Sequence, residues 1–128
     1  MAAAAKTATT LVSSQSVAVG TPVRAAIALP TKLGGFLTFK ITNGASAPGV
    51  ALTAKVFVAH NATLPATAAE GADWKLVYVV DGSTTASAST PGSWPVPMGV
   101  GNLQIEFANN TTNAVTAEAY ITTVDSIA

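Results

Sequence analysis

The sequence predicts an all-β chain folded as a single antiparallel β-sandwich, jelly-roll or immunoglobulin-like, of about seven or eight strands. Three observations predict it. Apolar and polar residues alternate with a period of two along most of the 128 residues. Val, Ile and Thr, whose branching at Cβ suits a pleated surface, supply 37 residues. Clusters of Gly, Pro, Asn and Asp separate the alternating runs at spacings that fit short strands. Ala is the one abundant helix former, and it forms no i, i+3, i+4 stripe with charged partners, so helix is disfavoured.

Residues 1–10, MAAAAKTATT, are low in complexity and read as an N-terminal arm, leaving residues 11–128 as the sandwich domain. Thr9–Val19 and Val23–Leu29 are the weaker strand candidates. Leu37, Phe39 and Ile41 then alternate with Thr38, Lys40 and Thr42, and Leu52, Ala54, Val56 and Val58 with Thr53, Lys55 and Phe57. The run from Trp74 to Val80 is apolar on both faces. Asp81-Gly82 follows it, a two-residue hairpin signal toward a strand at Ser83–Ser89, because both turn residues tolerate positive φ. Thr90 to Pro97 carries three prolines and cannot join a central ladder. Leu103, Ile105 and Phe107 alternate with Asn102, Gln104 and Glu106, and Val115, Ala117, Ala119 and Ile121 with Thr116, Glu118 and Tyr120. The Asn109–Asn113 segment joins these last two as neighbours. Asn61 to Ala72 is an Ala-rich loop. No composition break marks a second domain.

Composition excludes several functions. Charged residues are 9% of the chain, against roughly 25% in an ordinary soluble domain, and six Lys/Arg cancel six Asp/Glu. No net field draws the protein to nucleic acid or to an anionic membrane. Ala, Thr, Val and Ser make up 67 residues. A monomer of this mass exposes about 6,200 Å², or one charge per roughly 500 Å². Such a surface is either kept soluble by hydroxyls or buried against other subunits, and the balance of the features favours the subunit. Cys is absent, which removes disulfides, thiolate catalysis and cysteine-held zinc. No apolar run reaches the roughly 20 residues of a membrane span, and residues 1–10 lack a secretory apolar core, so synthesis without a signal peptide is expected.

The candidate chemistry is thin. Glu106 and Glu118, on strands expected to be neighbours, are the one carboxylate pair to weigh for glycoside hydrolysis, and solvated surface acids are the simpler reading. His60 ends a strand without an evident nucleophile or orienting acid. Gly34-Gly35 precedes a strand and is a turn or bulge, not a phosphate cradle. The Asn61, Asn109 and Asn110 glycosylation triplets arise by chance among 18 threonines. No catalytic, metal-binding or cofactor-binding residue is assigned. The aromatics carry more weight. Trp74 reads as a core plug, while Trp94, set between Ser93 and Pro95, is either an anchor for another chain or a lid over the core. Trp74, Tyr78, Trp94 and Tyr120 are also the residues a carbohydrate-binding module would stack on sugar rings.

With the Ala/Thr-rich start, the strand and turn from Trp74 to Gly82, and the terminal runs Gly101–Phe107 and Ala114–Val124, the chain resembles small β-sandwich structural proteins of tailed-bacteriophage virions. Capsid decoration (cement) proteins are the most similar in style. The resemblance implies a non-enzymatic protein without cofactors that binds the major capsid protein and copies of itself, often as a trimer, on the capsid surface. A tail or fibre component would look alike. The expected interface lies in the arm and the proline-rich segment: Lys6, Thr9, Ser93, Trp94, Pro95, Val96 and Pro97.

Overall fold

A computed structural model describes residues 3–127. Among the described residues there are eight strands and no helix: β1 (Ala4–Val17), β2 (Val23–Ala28), β3 (Gly35–Asn43), β4 (Thr53–Ala59), β5 (Lys75–Asp81), β6 (Ser89–Val96), β7 (Asn102–Ala108) and β8 (Val115–Ile127). They form two four-stranded antiparallel sheets, a front sheet in the order β1-β8-β3-β6 and a back sheet in the order β2-β7-β4-β5. This is the jelly-roll alternative, in which successive strands, β4 and β5 excepted, pass from one sheet to the other.

The alternation read from the sequence becomes the core. Leu37, Phe39 and Ile41 of β3 and Ala117, Ala119 and Ile121 of β8 are buried with Ala54 and Val56 of β4 and Leu103, Ile105 and Phe107 of β7. Phe39 and Phe107 meet edge to face, their ring centroids 6.3 Å apart. Each fully buried Leu, Ile or Phe contributes about 1.5–3 kcal/mol. A slip of one residue would turn this whole set to solvent, so the pairing register is strongly specified.

Four expectations change. Where an arm was expected, the chain from Ala4 onward is the first half of β1, paired with β8 from Ala4 opposite Ile127; Met1 and Ala2 lie outside the described residues. Asp81-Gly82 does not close a hairpin. The Gly82 amide donates to the Leu52 carbonyl at 2.8 Å, extending the β4–β5 ladder, and the chain then crosses to β6 in the other sheet with no strand at 83–88. The proline-rich segment is a strand, but an edge strand bonded only to β3, where a missing amide donor costs nothing. β7 and β8 are not neighbours: β7 lies in the back sheet and β8 in the front.

β7 is buried along its whole length. Two of its polar residues, expected to face solvent, hold the 60–74 loop onto the back sheet. Asn102 Nδ2 donates to the Ala59 and Asn61 carbonyls, and the Gln104 amide both accepts from Ala68 N and donates to Ala68 O. Trp74 packs beneath that loop with Phe57 and Ala59 and donates from Nε1 to the Ala66 carbonyl at 2.9 Å. It is a core plug on the far side of the back sheet. Phe57 alternates with Val56 to that far side, opposite Gln104 on the unbroken β4–β7 ladder, and is buried under the loop, while Val58 is half-buried.

Candidate functional site

Pairing register lays out the solvent face of the front sheet in rows. Ala8, Thr122, Phe36 and Pro95 are successive partners across β1, β8, β3 and β6. The next row is Thr10, Tyr120, Thr38 and Ser93, followed by Glu118, Lys40 and Pro91, then Ser16, Thr116, Thr42 and Ser89. Phe36 is 48% exposed and Tyr120 41% exposed, so this hydroxyl-lined face presents two diagonal aromatic rings beside Pro95.

One ion pair lies on it. Lys40 Nζ is 3.0 Å from Glu118 Oε1, and the Tyr120 hydroxyl donates to Glu118 Oε2 at 2.8 Å. The Tyr120 hydrogen bond, with Lys40 behind it, holds the Glu118 carboxyl below the usual carboxylate range, and the same bond raises the Tyr120 phenol. Glu118 therefore stays ionised and its charge is met within the chain. A shallow depression of about 190 Å³ lies between Thr38, Lys40, Glu118 and Tyr120.

The residues expected at an interface divide by face. Ser93 and Pro95 point outward and join Phe36 and Thr38, and Lys6 follows Ala8 on the same side of β1. Thr9 alternates inward, opposite Ile121. Trp94 is half-buried against the core and Val96 is buried. Pro97 follows β6 and is exposed. Phe36 was missed, although the alternation of Leu37, Phe39 and Ile41, extended back one residue, places it outward.

The two carboxylates weighed for hydrolysis are on opposite outer surfaces. Glu106 is buried on the back sheet, 2.6 Å from Arg24 Nε, while Glu118 is on the front face. Two packed sheets are about 10 Å apart, and each carboxylate points away from the other, which is no geometry for an acid and base flanking one bond. His60 is exposed at a cavity of about 290 Å³ shared with Lys75 and Met98–Gly101. Another cavity, about 330 Å³, is lined by Val19–Pro22 and Ala108–Thr111 and has no titratable side chain. Among the described residues, no three His, Cys, Asp or Glu side chains cluster as metal ligands, and no helix is long and apolar enough to cross a membrane. The sugar-stacking set also breaks up, since Trp74 is buried and Tyr78 and Trp94 pack on the core, leaving Tyr120.

No protein-family model matches the chain, and no curated protein matches it in sequence. Solved structures do resemble its fold. The K3 cleaved adhesin domain of Lys-gingipain from Porphyromonas gingivalis W83 aligns with a TM-score of 0.52 at 12% identity, over 80% of this chain and 63% of that one. A chain in the structure of the infectious bursal disease virus Gx strain aligns with a TM-score of 0.50 at 16% identity, over 95% of this chain and 32% of that one. A family 16 carbohydrate-binding module aligns at 0.45 and 14% identity, over 88% and 72%, too distant to carry an argument. The chain thus spans under two thirds of the first and a third of the second. At these identities the likeness is one of fold.

Proposed function

We propose that the chain is a non-enzymatic virion structural protein that seats the front face of its sandwich on a phage capsid lattice, as an oligomeric decoration protein. One observation carries this reading: Phe36, Tyr120 and Pro95 stand exposed on a regular face whose other side chains are mostly Thr, Ser and Ala, with Lys6, Pro91 and the Lys40–Glu118 pair. Interface cores are depleted of charge and enriched in aromatic anchors. The one carboxylate on this face has its charge satisfied by Lys40 and Tyr120, so covering it strands no unpaired acid.

Four strands by nine residues span roughly 570 Å², below the roughly 800 Å² per partner of a standard interface. Such a face binds usefully when repeated, so a homo-oligomer on a symmetric shell, a trimer by analogy with decoration proteins, raises avidity without new contacts. The jelly roll is used by viral capsid and lectin domains alike, and a virus structure is among the folds that align. A tail or fibre position in the same virion would use the face in the same way.

The test is co-sedimentation with tailed-phage capsid shells stripped of surface proteins. The unmodified chain is expected to pellet with shells and add a regular knob in particle images. Phe36→Ser with Tyr120→Ser should lower retention at least tenfold while the melting temperature holds. Equal retention of the variant, or no binding by the unmodified chain, overturns the proposal. A carbohydrate-binding module is the second reading, favoured by the diagonal Phe36 and Tyr120 rings. Retention on a glycan array that the same variant abolishes, without any binding to shells, would put it first.

A further inference from the structure

We infer that Asn43-Gly44 is a self-modifying site: the Asn43 side-chain amide locks the crossing from β5 to β6, and spontaneous deamidation by the Gly44 nitrogen opens that lock in one direction. Asn43 ends the inward row of β3 formed by Leu37, Phe39 and Ile41, and it is 4% exposed. Its Nδ2 donates to the Ser83 carbonyl at 2.7 Å and to the Thr85 carbonyl at 2.9 Å. Its backbone amide donates to the Ala88 carbonyl, and the Ser87 amide donates to the Gly44 carbonyl. Residues 83–88 form no strand, so these four bonds tie the crossing to the end of β3, and Nδ2 supplies two of them.

Glycine at position 44 answers no need of the fold. Its φ is not positive, and a Cβ built there meets nothing within 4 Å. Gly44 N donates no hydrogen bond among the described residues. What glycine supplies is an unshielded nitrogen next to an asparagine, on a backbone free to fold back toward that side chain. Asp81-Gly82 is the contrasting pair. The Leu52 carbonyl holds the Gly82 amide at 2.8 Å, and a Cβ at position 82 would come 3.0 Å from the same oxygen, so there the fold itself requires glycine.

The step balances with water as its only co-reactant. Gly44 N loses its proton and bonds to Asn43 Cγ, the Cγ–Nδ2 bond breaks, and Nδ2 leaves as ammonia. Water then opens the succinimide ring at either carbonyl, giving an aspartyl or an isoaspartyl residue. Neither product keeps Nδ2, and a carboxylate in its place faces the Ser83 and Thr85 carbonyls. The site has no donor for it, since Asn43 Oδ1 is itself buried without a hydrogen-bond partner. A charge buried among acceptors is costly, so the crossing does not relock. With both Nδ2 hydrogens held, the side chain is not free to swing toward Gly44 N, and the rate follows local opening at this end of β3. The edge strand β6, which follows the crossing, then loses the tether at its start. Asn43 points inward, so none of this depends on a capsid contact at the front face.

Prolonged incubation of the intact protein at mildly alkaline pH, followed by peptide mapping with mass spectrometry, tests it. Conversion is expected at Asn43 ahead of every other asparagine, and roughly tenfold faster in unfolding urea, where the clamp on Nδ2 is gone. Gly44→Ala should keep the melting temperature and slow the conversion roughly tenfold, because its backbone is less free to close the ring. Thermolysin should cut the converted fraction within residues 83–88 faster than the fresh protein, and Asn43→Asp should be cut there in the same way. An Asn43 that stays intact in the folded protein, conversion no faster in urea, or a Gly44→Ala chain that converts at the unmodified rate overturns the inference. So does a converted fraction as resistant to thermolysin as the fresh protein.

Discussion

Gly92 lies directly opposite Phe39 on the β3–β6 ladder, and the Phe39 ring fills the space that a side chain at position 92 would need. A Cβ there would overlap Cε2 and Cζ of the ring, which cannot retreat because its far side packs edge-on against Phe107. Gly92→Ala is therefore expected to destabilise the fold by about 1–3 kcal/mol, the range for overpacking a dense core. Urea unfolding followed by tryptophan fluorescence measures it. A neutral result would mean the two sheets part easily at this point.

The same residues show what was legible from sequence and what was not. Leu37, Phe39 and Ile41 declare their face because period-two alternation is a local property, and it survives into the structure. Asn102, Gln104 and Glu106 alternate just as cleanly, yet they are buried, because the loop that covers two of them comes from residues some 40 positions earlier. Nothing local announces that cover. Asp81-Gly82 is a strong local turn signal overruled by a distant partner, Leu52, whose carbonyl takes the Gly82 amide. Prolines 91 and 95 bar a central ladder, as the sequence says, but not a strand, and the segment that carries them is an edge strand. On the candidate face, Ser93, Pro95, Lys6 and Tyr120 were visible, but the rows that place them together depend on register between residues as far apart as Lys6 and Val124.

Arg24 and Glu106 give a second expectation. The carboxylate is 7% exposed and the guanidinium 27%, so the pair is neither a free surface pair nor fully dry. Removing one partner leaves a largely buried group unpaired. Arg24→Met is expected to cost about 2 kcal/mol, somewhat below the range for breaking a fully buried pair. The double variant Arg24→Met with Glu106→Leu should recover most of that loss. Thermal unfolding of the single and double variants checks both.

The 60–74 loop is held by two side chains that can be tested apart. Gln104→Leu keeps the volume but strips partners from the Ala68 amide and carbonyl, an expected loss of about 2 kcal/mol. Trp74→Phe removes the Nε1 bond to Ala66 and part of the ring, a loss of similar size. Both variants should be cut by trypsin or thermolysin within residues 61–73 at rates well above the unmodified chain, while cleavage elsewhere is unchanged. Equal protection would show that the loop is held by its other contacts.

Asp125 supplies a pH dependence whose sign follows from its neighbours. The Thr7 hydroxyl, then Lys32 at 2.9 Å and the Thr123 hydroxyl at 3.0 Å, hold its carboxyl at about 2, below the ordinary value of 3.8. A carboxyl depressed in the folded state binds its proton more readily when unfolded, so stability rises with pH between the two values. The contribution is complete above the unfolded value near 4 and is lost as pH falls through about 2. Thr7 lies in the first half of β1, where only β8 pairs with the strand, so protonation of Asp125 loosens that half before the core responds. Amide exchange at Thr7 and Ala8 should accelerate between pH 4 and pH 2, ahead of Leu37 and Ile105. Asp125→Asn should make exchange at Thr7 fast already at pH 7 and remove its acid dependence. If Thr7 stayed protected in that variant, β1 would be held by backbone pairing alone, and the carboxylate would be a bystander to the strand it touches.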